Sequence, residues 1–358
     1  MTTSALPFVT ASLPGTGGAT KVVPEDFVVE ELPAYLPSGS GEHLFLLVEK
    51  RGLDTREVVR AVARALCVAE RDVGYAGQKD RHAVTTQWLS LPGVASRRAV
   101  GLAGEGFRVL EAALHGNKLR TGHLKGNRFR LRVRGVDAAG AARARGIAAA
   151  LATTGLANFY GPQRFGRSSD NAEVGRLLLQ GSSDPRARRA ARDHRQRRLL
   201  VSAFQSSIFN ELLAARLRDG SWCTPLSGDV LEKATGGLFL CTDPSIDVPR
   251  VAAFDCSVTG PMPGGKMRPV PTGVPGALEE RLLAASGVTA AQLAGCRDAP
   301  GARRALRVPV QVEVEEEPEQ GSIRLSFSLP PGSYATELLR EVQKSEQPPS
   351  HDEPQPEE

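Results

Sequence analysis

The spacing of apolar and polar positions changes repeatedly along this chain, and each change marks an element. From Phe27 the run F-V-V-E-E reads as a strand, with a proline upstream setting its start. His43 to Glu49, H-L-F-L-L-V-E, reads as a largely buried strand entered from a Gly/Ser turn at Pro37 to Gly41. The spacing then becomes helical. Val58, Val62, Ala65 and Leu66 share one face behind Asp54, an N-cap with Glu57 three residues on. Thr85, Gln87, Leu89 and Leu91 alternate with Thr86, Trp88 and Ser90, as a strand does. Arg128, Arg130, Arg132 and Arg134 alternate with Phe129, Leu131 and Val133, so one strand face is apolar and the other cationic.

Beyond these, Ala138 to Thr153 reads as a helix leading to Gly155, and Phe204, Ile208 and Leu212 beside Leu213 and Leu217 form the packing stripe of another. Ser221 to Pro300 is Gly- and Pro-rich and weakly periodic. Two strands, Val308 to Val314 and Ile323 to Leu329, are joined through an acidic turn at Glu315 to Gly321. Ser333 is placed to cap a final helix over Glu337 to Val342. The opening dozen residues and Pro14 to Gly18 read as a flexible lead-in; no G-K-[ST] follows those glycines, which excludes a phosphate loop. The Pro-, Glu- and Gln-rich end reads as disordered.

Length and charge add two constraints. At 358 residues the chain calls for two domains or one with a large insertion. The net charge is +5, but Glu341 to Glu358 carries −5 of its own, leaving +10 on the body. A basic body suits a polyanionic partner. The cationic residues are also clustered: seven Lys/Arg and no acid from Gly116 to Arg134, and seven Arg against Asp193 alone from Arg186 to Arg198. Like charges on one strand face repel unless an anion covers them, which points the first cluster toward nucleic acid. The second suits a phosphate backbone or is a solvated helix face. The five cysteines are widely spaced and hold no C-x-x-C pair, which argues against a disulfide framework and against a zinc site. With neither a cationic leader nor a long apolar run, a cytoplasmic protein that does not enter membranes is expected.

The densest chemistry lies in G-Y-A-G-Q-K-D-R-H-A-V-T-T, Gly74 to Thr86. Asp80 falls on a loop before a strand, between Lys79 and Arg81, and cations so close favour its ionised form. An ionised Asp can serve as nucleophile or general base. An exposed charged turn is the alternative on these residues alone.

Tyr75 to Thr85 closely resembles the signature of the TruD family of tRNA pseudouridine synthases, whose Asp in G-x-K-D is the catalytic carboxylate, here Asp80. Further stretches share the resemblance. Pro24-Glu25-Asp26-Phe27 resembles an element that sets a Phe against the substrate base and a nearby Lys beside the Asp, which implies Phe27 and Lys21. Gly126-Asn127-Arg128-Phe129 resembles the family's G-N-x-F, implying substrate contacts by Asn127 and Phe129. Asn158 to Arg167 resembles the opening of the family's insertion domain, and Gly260 to Met267 a loop within it. Its aromatics stack on bases or fill a local core, while Arg164 and Arg167 are the phosphate candidates. Pro331 to Thr336 resembles an element that returns to the catalytic domain; its aromatic is Tyr334 where Phe is common.

The resemblance implies an α/β (α+β) pseudouridine synthase core with a mixed, mainly antiparallel sheet from residues 1–154 and 308–342. An inserted α/β domain spans 155–307, and the tail 343–358 follows. It implies isomerisation of a uridine of tRNA, at position thirteen, by a monomer that needs no cofactor and no metal. Lys79, Arg81, His82, Arg128, Arg130, Arg164 and Arg167 are the further RNA-binding candidates. Two rivals remain: a tRNA-binding module that has lost catalysis, which Asp80 argues against, and a basic hydrolase using Asp80 with His82. No G-x-S-x-G or H-E-x-x-H accompanies the second.

Overall fold

The computed structural model describes residues 5–93, 99–317 and 321–345. The disordered tail expected at 343–358 lies outside these from 346 on, and its start is corrected: Gln343 ends the helix Ala335–Gln343, is buried and donates to the Gly18 carbonyl. The chain divides into two compact units. One is Pro14–Ala148 with Gln311–Ala335 and Val342–Glu358; the other is Ala149–Val310 with Met1–Leu13 and Thr336–Glu341. The sequence reading puts the chain's first residues and 336–341 with the first of these.

The first unit is built on one nine-stranded sheet. Its early strands are β1 (Phe27–Pro33), β2 (His43–Arg51), β3 (Gly74–Tyr75), β4 (Val84–Pro92), β5 (Ala103–Gly104), β6 (Phe107–His115) and β7 (Leu124–Arg134). The order across the sheet runs from Glu313–Glu317 through Ser322–Leu329 to β7, β1, β4, β2, β6 and β5, with β3 on β4. Only β1 with β4 is parallel; the other pairings are antiparallel. The long strands predicted from alternation are therefore present.

Helix α1 (Thr55–Leu66) covers one face. Asp54 accepts from the Glu57 amide while the Glu57 carboxylate accepts from the Asp54 amide, satisfying donors that a helix start leaves unpaired. Its apolar stripe of Val58, Val59, Val62, Ala63 and Leu66 packs on Leu44, Leu46, Val48, Leu89 and Leu91. Ala65, expected in that stripe, is exposed, and Ala63 takes its place.

The second unit is organised around the 25-residue helix His194–Arg218. The helix Asn171–Leu179 lies so close to it that a side chain on Gly175 would meet the Leu200 carbonyl at 2.0 Å. Beside them is an antiparallel four-stranded sheet, in the order Leu238–Leu240, Val230–Lys233, Cys256–Met262, Ala302–Ala305. The weakly periodic 221–300 stretch thus contains regular structure, and Gly260 to Met262, read as loop, lies in a strand.

Three further expectations are corrected. The lead-in is anchored: the Val9 and Thr10 amides and the Thr10 hydroxyl donate to the Glu341 carboxylate. In the other unit the Thr16 and Gly17 amides donate to the Val342 and Gln343 carbonyls. Gly15 is required there, since a Cβ would meet the Gln343 oxygen at 2.3 Å. The penultimate strand is Glu313–Glu317 rather than Val308 to Val314. Three glutamates placed in the acidic turn belong to it, Glu315 and Glu317 held by Arg132 and Arg324 and Glu316 by Arg145.

Candidate active site

Alternation along β1 sends Phe27, Val29 and Glu31 to the sheet face that α1 covers. The same face receives Lys50, opposite Thr85, and Phe129 and Asn127, opposite Val29 and Glu31. Over this face lies the loop carrying Asp80. Gly74 allows the close approach that starts it, since a Cβ there would meet the Leu119 carbonyl at 2.2 Å.

Each charge of the Lys79-Asp80-Arg81 triplet has its own partner. Lys79 is buried and pairs at 2.8 Å with Glu31, their side chains 5% and 1% exposed. The other Glu31 oxygen accepts from the Trp88 amide. Arg81 donates to Glu57 at the start of α1, with Asp54 at 3.8 Å. The Asp80 carboxylate has Lys21 at 3.6 Å, with side chains 35% and 10% exposed respectively. Burial pulls the Lys21 ammonium below the ordinary lysine range, and the adjoining Asp80 charge partly restores it. Lys21 takes a left-handed backbone, φ 56°, and sets its ammonium 4.3 Å from the centre of the Phe27 ring. Phe27 meets Phe129 edge-on at 6.3 Å, and Phe129 stacks on Phe327 at 5.2 Å.

Beneath the loop lies a polar layer. The Lys79 amide donates to the Thr55 hydroxyl, which donates to Gln87. The Lys50 ammonium donates to the carbonyls of Leu53 at 2.7 Å, Lys79 at 3.3 Å and Asp80 at 2.7 Å. Among side-chain atoms left buried without a hydrogen bond are Asn127 Oδ1 and Gln78 Nε2.

The structure thus brings Lys21, Phe27, Asp80, Asn127 and Phe129 to one sheet face in one unit. Tyr334 is half-buried in the turn after Ser322–Leu329, a strand whose last residue opposes Asn127. Other candidates move. Phe27 and Phe129 are only 2% and 7% exposed, so they are wall rather than open stacking faces. Lys79 is committed to Glu31 and is withdrawn as an RNA contact. Arg128 and Arg130 point to the opposite sheet face from Asn127 and Phe129, away from Asp80. On that face carboxylates of the protein itself serve Arg128 (Glu30), Arg132 (Glu317) and Arg134 (Asp26), so no outside anion is needed to hold them apart. In the other unit Arg164 is buried, donates to Ser202 and Ser206 and lies against Tyr160, so it is withdrawn as a phosphate contact. Phe159 and Tyr160 are core. Arg167 is exposed and His82 half-buried.

The sequence reading missed Glu31, Lys50, Thr55 and Gln87. The signal for two of them was present: Glu31 is in phase with Phe27 and Val29, and Lys50 with Leu44, Leu46 and Val48. A charge in phase with a buried stripe is a committed one. Among the described residues no group of three or more His, Cys, Asp or Glu is placed to hold a metal, and no helix is long and apolar enough to cross a membrane.

Comparison with known proteins gives this geometry a context. The family model described as tRNA pseudouridine synthase D (TruD) matches residues 6–190 and 185–342. The tRNA pseudouridine synthase D of Anaeromyxobacter sp. (strain Fw109-5) is 54% identical over 341 residues, covering 95% of this chain and 96% of that protein. A protein of the same name from Thermus thermophilus is 44% identical over 346 residues, covering 95% and 92%. A crystal structure of the putative tRNA pseudouridine synthase D from Methanosarcina mazei shares the fold, with a TM-score of 0.76 at 23% identity over 95% of this chain and 96% of that one. With a loop carboxylate on a buried lysine at one sheet face, and matches that run nearly end to end, the chain belongs to the tRNA pseudouridine synthase D family.

Proposed function

We propose that this protein isomerises a uridine of tRNA, at position 13, to pseudouridine with Asp80 as the catalytic carboxylate. The observation that carries the assignment is the Asp80–Lys21 pair, whose carboxylate stays partly open while its lysine is almost enclosed. The N1–C1′ bond breaks, the base turns, C5 joins the same C1′, and the proton on C5 leaves as N1 gains one. Atoms and charge balance within the nucleotide. Asp80 acts on the nucleotide and Lys21 orients it. Asn127 Oδ1 takes a donor from the base or sugar, and Phe27 and Phe129 form the apolar wall against which the base turns.

A stacked target must first leave its neighbours, at a cost of a few kcal/mol. Exposed cations on the second unit, Arg167, Arg188, Arg189, Arg192, Arg195 and Arg198, supply phosphate contacts that offset it, whereas Arg197 is taken by the buried Asp298. The unit holding Asp80 is the catalytic domain and the other the family's insertion domain. A tRNA substrate supports a cytoplasmic setting, and the enzyme is taken to act as a monomer.

Asp80→Asn keeps shape and removes the charge. It is expected to bind unmodified tRNA with a Kd within a few-fold of the parent and to form no pseudouridine. Carbodiimide-dependent primer-extension stops report the product, and a stop of normal strength with the variant refutes the assignment.

A further inference from the structure

We propose that Lys50 is a positioning residue for the reaction: its buried ammonium clamps the backbone of the Asp80 loop and so fixes where the carboxylate points. The inference rests on the role given to Asp80. Lys50 ends a run of inward-facing residues on β2, after Leu44, Leu46 and Val48, and is itself only 1% exposed. Its side chain therefore crosses the top of the apolar core rather than reaching solvent. An ammonium has three donors, and here three carbonyls take them. One belongs to Asp80 itself and one to Lys79, while the third, of Leu53, lies just before α1 and ties the loop to a rigid element.

No carboxylate lies within ion-pair distance of the Lys50 ammonium among the described residues, in contrast to Lys79 with Glu31. The charged groups around it are Asp80 and Lys79 on the loop and Asp54 and Glu57 at the start of α1, which also hold Arg81. A buried cation served by carbonyl dipoles is fixed by geometry rather than by a counter-charge. Burial, the largest influence, pulls its proton affinity down to about 8, against the pull of Asp80 and Asp54. Below that pH all three N–H groups are present. Above it one is lost, and the freed lone pair faces a carbonyl oxygen, so the clamp loosens as pH rises through about 8.

The test uses the full-length protein and unmodified tRNA transcript. Lys50→Met keeps the length and loses the donors; Lys50→Arg keeps a cation that does not titrate in this range. Single-turnover rates at saturating enzyme are read beside Kd and the melting temperature. The proposal expects Lys50→Met to lose at least tenfold in rate with Kd within twofold. It expects the wild-type rate to fall as pH rises from 7 to 9, and that of Lys50→Arg, lower at pH 7, to fall less, since only the Lys21 ammonium beside Asp80 is then left to titrate. A folded Lys50→Met with the wild-type rate overturns it, as does an alkaline decline of equal depth in wild type and Lys50→Arg. A wild-type rate flat from pH 7 to 9 overturns it without any variant. If the wild type itself forms no pseudouridine, it is the proposed activity that fails. Amide exchange at Lys79 to Arg81 then decides for Lys50: faster exchange in Lys50→Met supports the clamp, and unchanged exchange refutes it.

Discussion

Replacing Lys79 by Met tests whether the motif's lysine is structural. Lys79 and Glu31 are both buried and 2.8 Å apart, and Lys79 is the ion-pair partner of Glu31. Without the lysine, the Glu31 carboxylate keeps one donor, the Trp88 amide at 3.2 Å. Breaking a buried pair from one side costs about 3–5 kcal/mol, because the remaining charge has lost both water and partner. Glu31→Gln in the same chain removes that charge and still offers the Trp88 amide an acceptor. It leaves an amide nitrogen unpaired, at about 1–3 kcal/mol, so the double variant should recover roughly 2 kcal/mol of the loss. The assay is urea unfolding followed by tryptophan fluorescence. Trp88 and Trp222 are buried in different units, so Trp222→Phe isolates the unit carrying the site. For a slope of about 2 kcal/mol/M, Lys79→Met should lower the midpoint on the order of 2 M. A cost under about 1 kcal/mol, or a double variant no more stable than Lys79→Met, refutes the reasoning.

Two further outcomes follow. Cys67 is exposed, whereas burial, reinforced by the nearby Asp247 carboxylate, pushes the Cys241 thiol up to about 12. Iodoacetamide at pH 8 should therefore label Cys67 first and Cys241 only in denaturant, as read by peptide mass mapping; equal labelling rates contradict the buried, protonated thiol. Replacing the exposed Arg188, Arg189 and Arg192 by Gln should flatten log affinity for tRNA against log salt by roughly 0.7–0.9 for each phosphate no longer neutralised. An unaltered slope assigns those arginines to solvent.

Most of the first unit was readable because its strands alternate cleanly and α1 has a two-sided N-terminal box. Period two carried β4 and β7, and the same rule shows where the reading stopped short. Alternation says which residues share a face, not which face holds the site. The arginines of β7 were read as an RNA surface, but Asn127 and Phe129 already fix the site on the other side. Their repulsion was judged without Glu30, Asp26 and Glu317, because those partners come from elsewhere in the chain. The same limit hid the anchoring of residues 9–17, which depends on Glu341, Val342 and Gln343 more than 300 positions away. Arg164 failed for a related reason: a turn-rich, aromatic stretch looks exposed, but Ser202 and Ser206 give its guanidinium interior partners. The 221–300 stretch was opaque because its elements are short and carry Gly or Pro inside them, as Cys256–Met262 does.

The four cations around the Asp80 loop explain how a carboxylate can be both held and available. Were they interchangeable, the negative charge of Asp80 would be shared among Lys21, Lys50, Lys79 and Arg81, and its direction would be an average. The structure separates them. Glu31 takes Lys79, Glu57 and Asp54 take Arg81, and three carbonyls take Lys50. Lys21 alone faces the Asp80 carboxylate, and it arrives from a left-handed residue packed over Phe27. The backbone is thus fixed by groups whose hydrogen bonds go elsewhere, and among the described residues Lys21 is the cation within ion-pair distance of the carboxylate. A group prepared in this way spends little reorganisation when charge shifts on the nucleotide, the condition under which a lone carboxylate is most effective.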